Sequence, residues 1–566
     1  MLSQYKPGMD GEEFKLRAKE VIDYMVHYRD TAFKRPVIAL NILKSKVADL
    51  KKFIPLTVPT HGQDSFKDVL KDLDEFIVPR LLAWDHPHFF GYFPAGNTYP
   101  TILADMLSDI YNNIGFSWSS GPALTELEMI MMDWWGQALH LPRHFLFQTH
   151  GGVGGGVIQC SASDAVFMTI VSARQRALEF LKRKYPGKNE FDLVTKLVGY
   201  ISREAHSCQQ KGANLASCRI RVLTPNKMNK MTGETLERAI KEDLHNGLVP
   251  FFVGATVGTT GTTAYDNLWE IGAVCKRNPL IWLHVDAAYA GSAFVCEEFQ
   301  HLCGGLDYAD SVNVNANKWM LVCYDCSGHW VRDRYMYTHG IVITPVYLSN
   351  EIPGIIDYRH WKVQLSRRFR SLKLYFLFRV IGVKMIQEYI RNHVRLAKYF
   401  EDLILTDKRF TVTSEVHLGL VCTRLVGDDI LTEHLVAFVN ALGKIHVTPT
   451  RDKGQYVMRL CITYEFATKE HVLFGWKHIQ ECATEVINMQ KEFPNLLPSR
   501  RLSFTVPVNS VTLQALNLLT RDAADPIPVD QDTWNVVPRD RDITHQGTYR
   551  DTYRLTNRDT YREAYQ

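Results

Sequence analysis

Two ten-residue runs, VPFFVGATVG (249–258) and PLIWLHVDAA (279–288), carry almost no polar side chain. A strand with one wet face alternates apolar and polar residues. A strand covered on both faces has no position from which a polar side chain can reach water, so it reads as a continuous apolar run. Such runs belong to a parallel sheet enclosed by helices. From about residue 99 to 375, short β-rich runs alternate with stretches of helical period, which is the pattern of an α/β domain. The expected fold class is therefore α/β, with a mostly parallel sheet in a large domain at 99–375.

The flanking regions read differently. Residues 12–30 have Phe14, Val21, Ile22, Met25 and Val26 at helical spacing, which predicts an amphipathic helix within an N-terminal segment, 1–98. Between 376 and 490, FTVTSEVHLGLVCTRL and YVMRLCIT are strand candidates among helical segments, and a smaller α+β domain is expected there. Residues 491–566 are polar and Pro-interrupted, and RDTYR occurs at 550–554 and again at 558–562. Too little apolar surface is available there to offset the entropy of ordering, so a disordered tail is expected.

The bulk composition excludes some classes. Net charge is only +4 in 566 residues, too small to argue for a nucleic-acid or anionic-membrane partner. The longest apolar stretch, 374–383, is broken by Arg379 and is far too short to span a bilayer. The first residues have no apolar segment of the secretory type. Eleven cysteines form no framework, which suits a reducing compartment, and cytoplasm is the default location. Cys323 and Cys326 form a lone C-x-x-C with no second pair, so a buried structural pair is expected and no metal site.

Four short segments carry chemistry. In SVNVNANKWM (311–320), Lys318 follows an apolar strand; taken alone it reads as an exposed lysine at a strand end. A functional lysine here needs a desolvated, neutral amine, because only that form attacks an aldehyde carbon. In HVDAAYAG (284–291), Asp286 stands where a strand ends and small residues begin, the edge at which open α/β sheets bind ligands. It would pair with a cation such as a protonated pyridine nitrogen, or simply cap a helix. In THGGVGGGVIQCSASDA (149–165), glycines precede Ser161 and Ser163 at the start of a helix, a suitable place for a phosphate. The segment is neither a Walker loop nor a dinucleotide fingerprint, and a purely structural glycine loop is the alternative. In SREAHSC (202–208), His206 is placed for stacking or acid–base work, or for structure alone.

The order of these segments, together with FSWSSGPALTELE (116–128), LHVDAAYAGSAF (283–294), DYRHW (357–361) and SRRFRSLKL (366–374), resembles the aromatic L-amino-acid decarboxylases over about residues 10–490. The resemblance implies fold type I of the pyridoxal-phosphate enzymes, with a seven-stranded-type sheet, pyridoxal 5'-phosphate as cofactor, and a homodimer with a shared active site. By position, Lys318 matches the Schiff-base lysine, Asp286 the pyridinium partner and His206 the histidine stacked on the ring. Ser161, Ala162, Ser163 and Asn315 match the phosphate-side contacts, and Thr260 another cofactor contact. Tyr347 in PVYLSN matches the loop tyrosine that protonates Cα, and Arg459 a family arginine. Ile114 and Phe116 match residues that reach the partner's site, and the N-terminal segment is expected to pack on that partner.

The sequence departs from the family in three places. Asn317 replaces a histidine beside the lysine, the segment between Tyr347 and Asp357 is shorter, and Cys160 stands where a smaller residue is usual. Trp84, Tyr92, Phe93 and Pro94 match the aromatic wall of the substrate pocket. Ala95 replaces the threonine of dopa-type enzymes, and Ser366 replaces their glycine. Both changes resemble invertebrate tyrosine decarboxylases, so L-tyrosine is the expected substrate, ahead of histidine and then dopa or 5-hydroxytryptophan. An aldehyde synthase and a silent binding dimer are the other readings.

Overall fold

The computed structural model describes residues 9–39, 49–60, 65–149, 151–342 and 356–492. Tyr347 and the tail beyond Glu492 lie outside these described residues. Seven strands form the large sheet: β1 (Gly155–Gln159), β2 (Leu197–Ser202), β3 (Arg219–Leu223), β4 (Val249–Thr256), β5 (Trp282–Asp286), β6 (Ser311–Asn315) and β7 (Ser327–Val331). Their order is β1-β7-β6-β5-β4-β2-β3. Only β7 runs against its neighbours. Two reversals restore the direction of β1, so six strands point the same way. This is the α/β, fold-type-I arrangement the sequence led us to expect. All five residues of β5 are buried, as are all but the first residue of β4, which is why both read as apolar runs.

The edge strand β1 is closed off by side chains. Glu128 accepts the Ile158 N–H at 2.9 Å, Lys362 donates to Ile158 O at 2.8 Å, and Tyr358 donates to Gly156 O at 2.9 Å. Arg367 pairs with the same Glu128, and both side chains are buried. The DYRHW and SRRF segments thus cover backbone groups that an open edge would leave unpaired.

A second, four-stranded sheet has the order β10-β11-β9-β8, from β8 (Phe410–Val412), β9 (Leu420–Leu425), β10 (Thr448–Asp452) and β11 (Gln455–Cys461). The FTVTSEVHLGLVCTRL run is two antiparallel strands rather than one, because residues 413–419 turn the chain back. The helix Gly11–Asp30 forms as expected. Asp10 caps it by accepting from the Glu12 and Glu13 N–H groups, and His27 and Arg29 occupy its last turn. None of its residues is buried, and Phe14, Ile22 and Val26 are exposed. Among the described residues no helix is long and apolar enough to cross a membrane. Cys326 is buried and Cys323 half-buried, both as free thiols, and no group of described residues could hold a metal ion.

Candidate active site

Parallel strands deliver their C-terminal ends to one edge of the sheet, and six of the expected residues lie at or just after those ends. Asp286 is the last residue of β5 and Asn315 the last of β6, with Lys318 one helical turn beyond. His206 follows β2, Thr260 follows β4, and Ser161 follows β1.

Asp286 is buried and held from one side. Its Oδ1 accepts from the Ala288 N–H at 3.1 Å and from Asn313 Nδ2 at 3.2 Å. Among the described residues Oδ2 takes no hydrogen bond. The bond from Ala288 is a local turn and not a helix cap, since the helical turn that follows begins at Ala290 with Tyr289 before it. Behind Asn313 runs a polar chain through the sheet. His284 Nε2 lies 2.9 Å from Asn313 Oδ1, His284 Nδ1 lies 2.8 Å from Ser311 Oγ, and Trp282 Nε1 donates to Ser311 Oγ at 2.8 Å. Since Asn313 uses its amide N–H on Asp286, its oxygen must accept from His284, which fixes the proton on Nε2. Burial pushes the His284 pKa down to about 4, so the ring is neutral near pH 7.

Lys318 packs with Nζ 5.6 Å from the Phe93 ring centroid. Phe93 stacks on Tyr289 at 3.8 Å, and Tyr289 on Trp319 at 4.6 Å. Burial lowers the pKa of the Lys318 amine, opposed by the charge of Asp286. It is the desolvated lysine the chemistry requires, and not the exposed one that its place at a strand end suggests. His206 caps the helix Ser207–Leu215, with Nδ1 accepting from the Cys208 N–H at 3.2 Å. Burial lowers its pKa too, against the pull of Asp286. The ring is thus neutral with its proton on Nε2.

Ser161 caps the 23-residue helix Ala162–Lys184 through the Asp164 N–H. Ala162 and Ser163 occupy its first turn, where backbone N–H groups have no partner within the helix. Ser163 and Thr260 are exposed. Asn315 Oδ1 accepts from Ser327 Oγ at 2.6 Å, and Asn317 Oδ1 from the Cys326 N–H at 3.1 Å. Asn317 thereby pins the lysine-bearing turn to β7.

The segment 84–98 wraps this turn. Gly96 N–H donates to Asn317 O at 2.8 Å and Thr98 Oγ1 to Leu321 O at 2.8 Å. A Cβ on Gly96 would stand 2.7 Å from Val322 O, so the close approach needs glycine. Trp84 and Tyr92 stack at 4.9 Å and remain exposed, forming an aromatic wall. Tyr92 holds a left-handed φ of +56°, uncommon for a non-glycine residue. Pro94 is buried and Ala95 exposed beside them. Ile114 and Ser366 line a different cleft, of about 240 Å³, together with Cys160. None of Trp84, Tyr92, His206, Asp286 or Lys318 lines it; Phe116 adjoins Ile114 through its N–H.

Two residues of this site, Asn313 and Tyr289, escape a reading of motifs, and Arg459 is matched to a family arginine without a role. Asn313 orients Asp286, and the alternation in SVNVN, which puts Asn313 and Asn315 on one face, is the signal that carries it. Tyr289 supports Phe93. Arg459 donates to Gly261 O and Thr448 Oγ1 and lies 5.2 Å from the Phe93 ring, yet among the described residues its buried Nη2 has no partner.

Residues 48–426 match the family model described as the pyridoxal-dependent decarboxylase conserved domain. An aromatic-L-amino-acid decarboxylase of Sus scrofa is 44% identical over 85% of this chain and 98% of its own length. Among solved structures, the Oryza sativa TDC with PLP and tryptamine superposes with a TM-score of 0.81 at 32% identity, covering 86% of this chain and all of that one. The Rhodiola rosea 4-hydroxyphenylacetaldehyde synthase has a TM-score of 0.78 at 35% identity, covering 85% and 99%. The free Oδ2 of Asp286, the desolvated Lys318 and the open first turn at Ala162 fit the pyridine nitrogen, aldehyde and phosphate of that cofactor. A family match that contains the whole large sheet, and a relative above 40% identical over nearly its full length, make this chain a member of the pyridoxal-dependent decarboxylases, carboxy-lyases that work with pyridoxal 5'-phosphate.

Proposed function

We propose that the chain decarboxylates an aromatic L-amino acid to its amine and CO₂, with L-tyrosine preferred. The observation that carries this reading is the convergence of Lys318, Asp286 and His206 at one sheet edge beside the exposed Trp84–Tyr92 wall. Lys318 would hold the cofactor's aldehyde carbon, Asp286 Oδ2 its ring nitrogen, and the Ala162 and Ser163 N–H groups, with Ser161 and Asn315, its phosphate end. When bound, the pyridinium ring supplies the sink for the electrons released as CO₂ leaves. His206, neutral and fixed by its Nδ1 bond, would cover the ring face. Tyr347 would return a proton to Cα, and its loop would exclude water.

Tyrosine is favoured by Ala95, since a position without a hydroxyl for the second catechol oxygen disfavours dopa, and by Ser366, which together with Ala95 resembles the invertebrate tyrosine decarboxylases. The exposed stripe Leu103, Met106, Leu107 and Ile110, spaced for one helix face, supports a homodimer, as does the uncovered face of the N-terminal helix. Ile114, Phe116 and Ser366 would then reach the partner's site from their separate cleft. Eleven free thiols support a cytoplasmic location.

Incubation of the purified chain with tyrosine, histidine, dopa and 5-hydroxytryptophan, with amine, aldehyde, hydrogen peroxide and CO₂ measured together, tests the reading. Tyramine with equimolar CO₂ supports it. Aldehyde with peroxide would place the chain with the synthases, and no product from any of the four would leave a binding dimer.

A further inference from the structure

Arg459 and Lys318 come from different sheets and meet at one aromatic ring. Arg459 lies on β11 of the four-stranded sheet, and Lys318 follows β6 of the large one. The Arg459 guanidinium carbon is 5.2 Å from the Phe93 centroid, and Lys318 Nζ is 5.6 Å from it. Tyr289 stacks on Phe93 at 3.8 Å and 13°, so one face of that ring is taken. Both cations therefore sit against the other face or the rim, which brings two like charges together.

Arg459 is 4% exposed, and its anchors are neutral. Nε donates to Gly261 O at 3.2 Å and Nη1 to Thr448 Oγ1 at 3.1 Å. Among the described residues no carboxylate pairs with it, and Nη2 bonds to nothing. A guanidinium keeps its proton at any pH at which the chain is folded. The repulsion therefore falls on the lysine, the only one of the two that can become neutral. We propose that Arg459 is a positioning residue that acts through Lys318: its fixed charge keeps the lysine amine neutral and able to bond a carbonyl carbon. This rests on the reading of Lys318 as the residue that holds the cofactor, and not on which amino acid is the substrate.

In the bond-forming step the Lys318 nitrogen gives its lone pair to the aldehyde carbon. Both amine protons leave with the aldehyde oxygen as water, a C=N bond replaces C=O, and nothing is oxidised or reduced. An ammonium has no lone pair to give, so a charge that favours the neutral form speeds the step. The groups facing Lys318 are Asp286 on β5, His206 and Cys208 at the start of the helix Ser207–Leu215, and Arg459 on β11. Burial lowers the lysine pKa most, Asp286 and Cys208 raise it, and Arg459 lowers it. Arg459 thus offsets part of the pull of Asp286, the acid that the cofactor's ring nitrogen requires.

The test is imine formation by the full chain freed of cofactor, with pyridoxal phosphate added and no amino acid present. Absorbance follows the bond, and borohydride reduction with peptide mapping locates it. Without an amino acid, a contact between Arg459 and substrate cannot alter the result. Arg459→Gln and Arg459→Met should both form the imine roughly three- to tenfold more slowly than the wild type at pH 7, since a neighbouring like charge changes the neutral fraction by about that factor. The deficit should close towards pH 10, where the amine is largely neutral in every form, and Arg459→Lys should restore the wild-type profile. Damage to packing would slow the step equally at both pH values. An equal deficit at both, or no deficit in either neutral variant, overturns the proposal. If Lys318→Ala forms the imine as the wild type does, the reading of Lys318 itself falls, and the proposal with it.

Discussion

Asn313 Nδ2 stands 3.2 Å from Asp286 Oδ1, and this bond is the last link of a buried chain that starts at Trp282. Each donor in the chain has one acceptor, so the carboxylate cannot rotate without breaking a bond elsewhere. Asn313→Ala removes that link and leaves His284 Nε2–H without its acceptor. A hydrogen bond to a charged group contributes about 1.5–3 kcal/mol, so cofactor affinity should fall by roughly ten- to a hundredfold while the chain stays folded. Equilibrium titration with pyridoxal phosphate measures this, and an unchanged affinity would mean that the chain does not orient Asp286.

Lys318→Ala should abolish both turnover and the visible absorbance of lysine-bound cofactor. The fold should persist, because Phe93, Tyr289 and Trp319 stack without the amine. Far-UV circular dichroism, absorbance and product formation are the readouts. Survival of either the absorbance or the turnover would show that another residue binds the cofactor.

Stability should fall between pH 7 and pH 5. His284 and His393 are buried, and burial lowers both to about 4, against 6.5 for an ordinary histidine. Below pH 6.5 the unfolded chain takes up protons that the folded chain refuses. Acidification therefore favours unfolding, by up to about 1.4 kcal/mol per pH unit for each group. Above 6.5 the effect vanishes. Denaturant midpoints at pH 7.5, 6.5 and 5 test this: no change across the upper interval and a decline across the lower one are expected, and a flat profile throughout would contradict it.

The double change Ala95→Thr with Ser366→Gly should raise kcat/KM for dopa relative to tyrosine. One hydrogen bond of about 1 kcal/mol corresponds to several-fold in that ratio. A ratio that does not move, or a wild type that already prefers dopa, would mean that the pocket is read by other residues. The decarboxylase assignment would be unaffected.

Glu128 and Arg367 form a buried pair beneath the edge of β1. Glu128→Leu leaves Arg367 charged and unpaired and frees the Ile158 N–H. Loss of one partner of a buried pair costs roughly 3–5 kcal/mol, which a thermal-melt comparison with the wild type would register as a clear drop in Tm.

Features that depend only on neighbours along the chain were legible in the order of residues. Apolar runs made β4 and β5 legible because both faces of those strands are covered. Ser161 was legible as a helix start because capping acts over two or three residues. Lys318, Asp286 and His206 were legible as a set because each follows a strand, and parallel strands must deliver their ends to the same edge. Which side chains meet across strands follows from the folded chain and not from the order of residues. Asn313 reaches Asp286 only through the register that pairs β5 with β6. Lys362 reads as a surface residue in RHWKVQ, yet it is buried because the bare edge of β1 needs donors. Phe93 supports the Lys318 amine because Tyr289, almost two hundred residues later, stacks beneath it. Ile114 and Ser366, far apart in sequence, share a cleft separate from Lys318. Such contacts depend on register, edge closure and packing between distant segments, which leave no periodic trace in the order of residues.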